Sequence, residues 1–101
     1  MTLLDDEGYP TDEWLEYIKN FTDGDIHEFI QLVEDSWWMN SYGVVKKRKY
    51  KGKQKLELHT LGWSGNEEII NVILDNVYLT HFKMRYEMWR TGGHYYFEIR
   101  L

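Results

Sequence analysis

The sequence predicts an α+β domain of order ααββαββ, with a four-stranded, mostly antiparallel sheet and helices packed on one face. Three observations predict it. Two acidic N-terminal stretches carry apolar residues at helical spacing. Four later stretches read as strands, joined in pairs by glycine turns. A third helical stripe lies between the two pairs. At 101 residues the chain is one domain. Residues 1–42 form an acidic helical pair and residues 43–101 a ββαββ sheet region.

Thr11 follows Pro10 and caps the first helix, with Asp12 and Glu13 in the first turn, where the helix dipole favours acids. Trp14, Tyr17, Ile18 and Phe21 are its apolar stripe. After the break at "TDGD", Asp25 caps the second helix, with Glu28 three residues on as in a capping box. Its stripe is Ile26, Phe29, Ile30, Val33 and Trp37. Trp38 falls off that stripe, so one of the two adjacent tryptophans is expected at the surface. "NSYG" (40–43) ends the helical region.

Residues 44–51 and 54–61 read as strands around Gly52, a hairpin with a basic tip. A third helix over 65–75 places Ile70, Ile73, Leu74 and Val77 on one side. Phe82, Met84, Tyr86 and Met88 then alternate with Lys83, Arg85, Glu87 and Trp89, and Tyr95, Phe97, Ile99 and Leu101 alternate likewise. Gly92-Gly93 suits a two-residue turn. That turn sets Met88 against Phe97, Tyr86 against Ile99 and Met84 against Leu101. It also sets Glu87 against Glu98 and Arg85 against Arg100, a conflict relieved only along the diagonals.

Hydrophobic residues are 43% and charged residues 29%, a globular balance. Aromatic residues are 17%, including five Trp and eight Tyr. Rings this large bury much area in a small core and also make good binding surfaces. Without cysteine, disulfide and thiolate chemistry are excluded. "MTLLDDEGYP" has no long apolar run, so no signal peptide is expected, and no stretch approaches the roughly 20 apolar residues of a membrane span. Four scattered histidines show no ligand spacing, and no Walker or dinucleotide glycine motif occurs, so no metal or cofactor is expected.

The net charge of −5 is unevenly spread. Residues 1–35 carry eleven acids and one base, residues 36–66 seven bases and one acid, and the remainder five acids and four bases. Two solvated, mutually attracting faces account for this pattern.

Three candidate surfaces follow. "LGWSGNEEII", Leu61–Ile70, runs from strand through a glycine turn into a helix, with Ser64 at the bend. A nucleophile elbow needs Gly-x-Ser-x-Gly, and here the second glycine stands one place early, as Gly65 before Asn66. No spacing selects His59, His81 or His94 as a base. As Ser64-x-x-Glu67 the same residues make a capping box, which uses Glu67 as well, so we read Ser64 as an N-cap rather than a catalytic residue. If the second strand neighbours either of the last two, Trp63, Ser64, Asn66 and Glu67 meet Arg90 and His94 at one corner. Such a corner suits an anion or an acidic loop; packing alone also explains it.

The hairpin residues Lys46, Lys47, Arg48, Lys49, Tyr50 and Lys51 could follow a phosphate backbone with Tyr50 stacking, or could simply guard a sheet edge. Asp12, Glu13 and Glu16, with Trp37 and Trp38, make a third surface, acidic and aromatic, that could mimic DNA or be a solvated face.

"TLGWSGNEEII", an Asn a few residues on, then Trp89 and "GGHYYFEI" resemble a family of small proteins of tailed bacteriophages. Its members carry a Gly-Trp-Ser-Gly-Asn-Glu core and a Gly-Gly-His-Tyr-x-Phe-Glu end, here Gly62–Glu67 and Gly92–Glu98. The helical start, "DEWLEYIKNF" and "FIQLVEDSWWMNSYG", is similar too, so the resemblance spans nearly the whole chain. This chain departs from the family at Leu61, where a glycine is usual, and at Trp89-Arg90-Thr91, where Ser-Arg-Arg is frequent, which removes one basic residue from the turn. The resemblance implies a phage origin and action in the host bacterial cytoplasm. It implies no activity. With size and charge, it makes a non-enzymatic protein that binds a host or defence protein, of anti-CRISPR or anti-restriction type, the expected function. A small-ligand, anion or catalytic site at the corner, and nucleic-acid binding through the hairpin, are the alternatives.

Overall fold

A computed structural model of the chain describes residues 1–38 and 45–100, without the side chains of Val45 and Lys46. The expected order is present. Helices α1 (Asp12–Lys19) and α2 (Ile26–Ser36) precede the hairpin β1 (Val45–Tyr50) and β2 (Lys53–His59); α3 (Ser64–Asp75) precedes β3 (Met84–Arg90) and β4 (His94–Ile99). A π-helical turn at Leu79–Lys83 occupies what the sequence suggested was the start of the third strand. The sheet order is β1-β2-β4-β3 and every ladder is antiparallel.

The helical starts follow the sequence. Thr11 Oγ1 accepts the Trp14 N–H at 3.2 Å, and Asp25 Oδ1 accepts those of His27 and Glu28. Helix stripe and sheet pleat meet in one core: Trp14, Ile18, Phe29, Ile30, Val33 and Trp37 from the helical pair, Ile69, Ile70 and Ile73 from α3, and Leu56, Leu58, Met84 and Phe97 from the sheet. The helices therefore cover one face, and the other is open. Trp38 is exposed beside the buried Trp37, as the stripe requires. Tyr17 and Val77, assigned to apolar stripes, are exposed; Val77 lies past the end of α3, which stops at Asp75.

The last hairpin departs from the expected register. Its turn has three residues, Thr91-Gly92-Gly93, both glycines having positive φ. Met84 pairs with Ile99, Arg85 with Glu98 and Tyr86 with Phe97; a bulge at Glu87 then sets Met88 against Tyr96 and Trp89 against Tyr95. The physical reason is charge. The three-residue turn and the bulge each shift the register by one, so Arg85 rather than Glu87 stands opposite Glu98, and Glu87 reaches Lys55, whose Nζ lies 2.9 Å from both its oxygens. The bulge also turns Met88 to the open face, whereas the alternation had placed it with the core residues. Met84 thus faces Ile99 and not Leu101 as the two-residue turn implied; the "NSYG" turn lies outside the described residues.

Candidate functional site

Loop 60–63 and the first turn of α3 bring the glycine-rich motif together. The N-cap of α3 is Trp63, not Ser64, and it makes no side-chain capping bond. Ser64 Oγ donates instead to the Tyr9 phenol at 3.1 Å, and Glu67 accepts the Thr60 hydroxyl at 2.8 Å, so the expected capping box does not form. The reason lies in the N-terminal strap. Leu4 bridges Pro10, Asp5 Oδ1 accepts the N–H groups of Glu7 and Tyr9, and Tyr9 is thereby held over the motif. Ser64 shows no catalytic arrangement, since its hydroxyl is directed at a phenol rather than an imidazole.

Trp63 sits between Tyr9 and Trp38, with ring centroids 4.7 and 4.9 Å away. Gly65 makes room for it: a Cβ there would lie 2.6 Å from the indole Nε1. Asn66 is buried and fully engaged. Its Oδ1 accepts the Trp38 N–H at 3.1 Å, and its Nδ2 donates to the carbonyls of Trp38 and Thr60, both at 3.3 Å. It ties the end of α2 to the start of α3. The motif Gly62–Glu67 is thus a packed junction. Ser64→Ala, which loses one exposed hydrogen bond, is expected to cost less than about 1 kcal/mol. Trp63→Ala, which loses two ring contacts and half-buried area, is expected to cost about 2 kcal/mol. Equal costs in denaturant unfolding would show that Ser64 does cap.

Arg90 and His94 are not part of that aromatic cluster. The two motifs touch through backbone, where the Thr60 N–H donates to the Gly93 carbonyl at 2.9 Å. The side chains of Arg90 and His94 belong to the open face. There His94 pairs across the ladder with His59, and the Arg90 guanidinium lies 5.8 Å from the centroid of Tyr96.

That open face is a charged lattice that sequence spacing did not reveal. Arg48 Nε is 3.0 Å from Glu57, whose other oxygen is 3.5 Å from His59 Nε2. Lys55 lies between Glu87 and Glu98, and Lys53 and Arg100 also reach Glu98. The Glu87 hydrogen bond chiefly raises the Lys55 pKa above the ordinary lysine value, against burial and with help from Glu98. Burial pushes the Glu98 carboxyl upward, but Lys55, Lys53 and Arg100 together outweigh it and hold the pKa below the ordinary carboxylate value. Burial alone raises the Tyr86 phenol; Tyr95 is raised mainly by burial, with Glu67 adding and a bond to Trp89 opposing.

The remaining candidates divide. Lys47 pairs with Glu34 of α2 at 2.9 Å, the attraction between acidic helices and basic hairpin that the charge pattern suggested. Lys47, Arg48, Lys53 and Lys55 each have a carboxylate within reach, which leaves less charge for a phosphate backbone. Lys49, Tyr50 and Lys51 are exposed at the hairpin tip, and Lys46 falls among the side chains that are not described. Asp12, Glu13 and Glu16 line the exposed side of α1. Surface grooves of about 460, 450 and 650 Å³ lie between α2 and the first hairpin, on the open face, and beside α1. None is lined by Trp63, Ser64, Asn66, Glu67 or His94. Among the described residues no helix is long and apolar enough to cross a membrane.

A surface not foreseen from the sequence is β3. Among the described residues it is an edge strand with one side unpaired, and six of its seven residues are exposed, among them Tyr86, Met88 and Trp89. Phe82, expected to face the core, stands 63% exposed just before it, because the π-helical turn rotates it outward. Comparison with protein-family models, curated proteins and solved structures returns no match.

Proposed function

We propose that this chain is a bacteriophage-encoded, non-enzymatic binding protein that acts in the host bacterial cytoplasm. It blocks a host or defence protein by direct contact, as anti-CRISPR and anti-restriction proteins do. The phage origin rests on the sequence resemblance. The observation that carries direct contact is the unpaired edge of β3, with Tyr86, Met88 and Trp89 exposed along it. Edge strands are normally guarded by proline, lysine or a covering element. Here Glu87 is drawn to Lys55, Arg90 lies by Tyr96, and tryptophan, tyrosine and methionine are left outward. These residue types supply most interface binding energy. The fitting partner offers an extended segment that adds to the edge, with carboxylates to meet Lys83, Arg85 and Arg90.

The test is capture from host lysate, using the wild-type chain and a folded Tyr86→Ala/Trp89→Ala variant. The wild type should retain one protein stoichiometrically and inhibit it when purified. The variant should bind it at least about 30-fold more weakly, the effect of losing one interface hot spot. Repeated empty captures, or capture undiminished in the variant, would refute the reading.

A further inference from the structure

The packed aromatic junction and the β3 edge leave one constellation unused, the histidine pair on the open face. His59 and His94 are direct ladder partners on β2 and β4, with ring centroids 4.6 Å apart and planes at 70°. Their Nδ1 atoms face each other in contact. Each ring is oriented from behind. Glu57 Oε1, 3.5 Å from His59 Nε2, favours the proton on that nitrogen and directs the Nδ1 lone pair of His59 at His94. The His94 ring folds back over the turn, where a Cβ on Gly92 would lie 3.1 Å from its Nε2. A side chain there would press on the ring, and the observed orientation brings its Nδ1 to His59.

We propose that His59 and His94 are the two ligands of a cross-strand site for a divalent transition-metal ion of the Zn²⁺, Ni²⁺ and Cu²⁺ class. Neutral imidazole is the natural ligand for these ions. Without metal, one Nδ1 must donate to the other, and His94 does so because the proton of His59 is on Nε2. With metal, the His94 proton moves to Nε2 through solvent, the rings part slightly, and both Nδ1 lone pairs bind the ion. No net proton is released from the neutral pair. Glu57 behind His59 completes a carboxylate–histidine–metal arrangement, which raises the basicity of the ligand. Of the other charges on this face, Arg48 is occupied with the second Glu57 oxygen at 3.0 Å, and Arg90, the ladder partner of His94, lies by Tyr96. Among the described residues no cluster of three or more metal-ligating side chains occurs, so water completes the coordination and the affinity is micromolar rather than that of a structural zinc site. Both ligands lie on β2 and β4 rather than on the β3 edge.

The test is titration of the tag-free full chain with Zn²⁺ and Cu²⁺ near neutral pH. One equivalent should bind saturably, Zn²⁺ should raise the melting temperature, and the Cu²⁺ electron paramagnetic spectrum should show coupling to two imidazole nitrogens. His94→Gln should abolish all three effects, Glu57→Gln should weaken binding about 10- to 100-fold, and His27→Gln and His81→Gln should change nothing. If His94→Gln does not fold, the wild-type Cu²⁺ spectrum decides, because coupling to two imidazole nitrogens requires both rings of the pair. Absence of saturable binding up to millimolar metal, binding retained in folded His94→Gln, or a single-nitrogen spectrum would each overturn the proposal.

Discussion

Gly93→Ala is expected to destabilise the protein by about 3 kcal/mol, from backbone strain and a buried clash together. Gly93 has φ +78°, a conformation that costs an alanine about 1–2 kcal/mol by itself. The added Cβ would also overlap Thr60 Oγ1. Neither partner can step aside. The Gly93 carbonyl accepts the Thr60 N–H, Thr60 is fully buried, and its hydroxyl is committed to Glu67. Gly52 is the internal control, because it has the same φ of +78° and a Cβ added to it would meet nothing within 4 Å. Gly52→Ala therefore reports strain alone, about 1–2 kcal/mol. The clash contribution should shrink in Gly93→Ala/Thr60→Ala, which would cost less than the sum of its single variants. Denaturant unfolding of the wild type, the three single variants (Thr60→Ala included) and the double variant measures all of this. Equal losses for Gly93→Ala and Gly52→Ala would sink the account.

That pair of glycines also shows what the sequence made legible. Glycine at 52, 92 and 93 marked turns, because only a turn of positive φ requires that residue there. Both helix caps and the apolar stripes of the helical pair could be read from local spacing, since each depends on residues within one or two turns. The outcome differed wherever a distant residue decided it. The register drawn from a two-residue turn slipped once because the turn has three residues, and again at the bulge by Glu87, whose carboxylate reaches Lys55, 32 positions away. Ser64 looked like a cap because the pattern Ser64-x-x-Glu67 is local, whereas Tyr9, which takes up its hydroxyl, is 55 positions away. The corner was half legible: neighbouring β2 and β4 join the two motifs through Thr60 and Gly93, but the ladder sends Arg90 and His94 to the open face. His59 and His94, 35 positions apart, form a pair only once those strands are adjacent.

Asn76→Leu is expected to cost about 3–4 kcal/mol, the larger of the two effects, although the position carries no recognisable motif. Asn76 is the C-cap of α3 and is 8% exposed. Its Nδ2 donates to the carbonyls of Ile18 at 2.8 Å, Phe21 at 2.9 Å and Lys19 at 3.5 Å. Those groups lie at and just beyond the end of α1, where carbonyls run out of helical donors, although that of Ile18 also accepts the Phe21 N–H at 3.3 Å. Its Oδ1 accepts the Leu79 N–H at 3.0 Å, which starts the π-helical turn leading into β3. One side chain thus ends α1, closes α3 and sets the entry to the edge strand. Leucine has the same branched skeleton but bulkier methyl ends, so it leaves no cavity, and the loss combines unpaired polar groups with crowding against oxygens that sat at 2.8 and 2.9 Å. Asn76→Asp separates donor from acceptor. The carboxylate can still receive the Leu79 N–H, but it faces three carbonyl oxygens, which raises its folded pKa above the unfolded value. Its penalty should therefore be greatest at neutral pH and diminish as pH falls and the carboxyl regains a proton to donate. Unfolding midpoints across that range test both variants. A midpoint for Asn76→Leu equal to the wild type, or an Asn76→Asp penalty that grows in acid, would show that the carbonyls do not depend on this side chain.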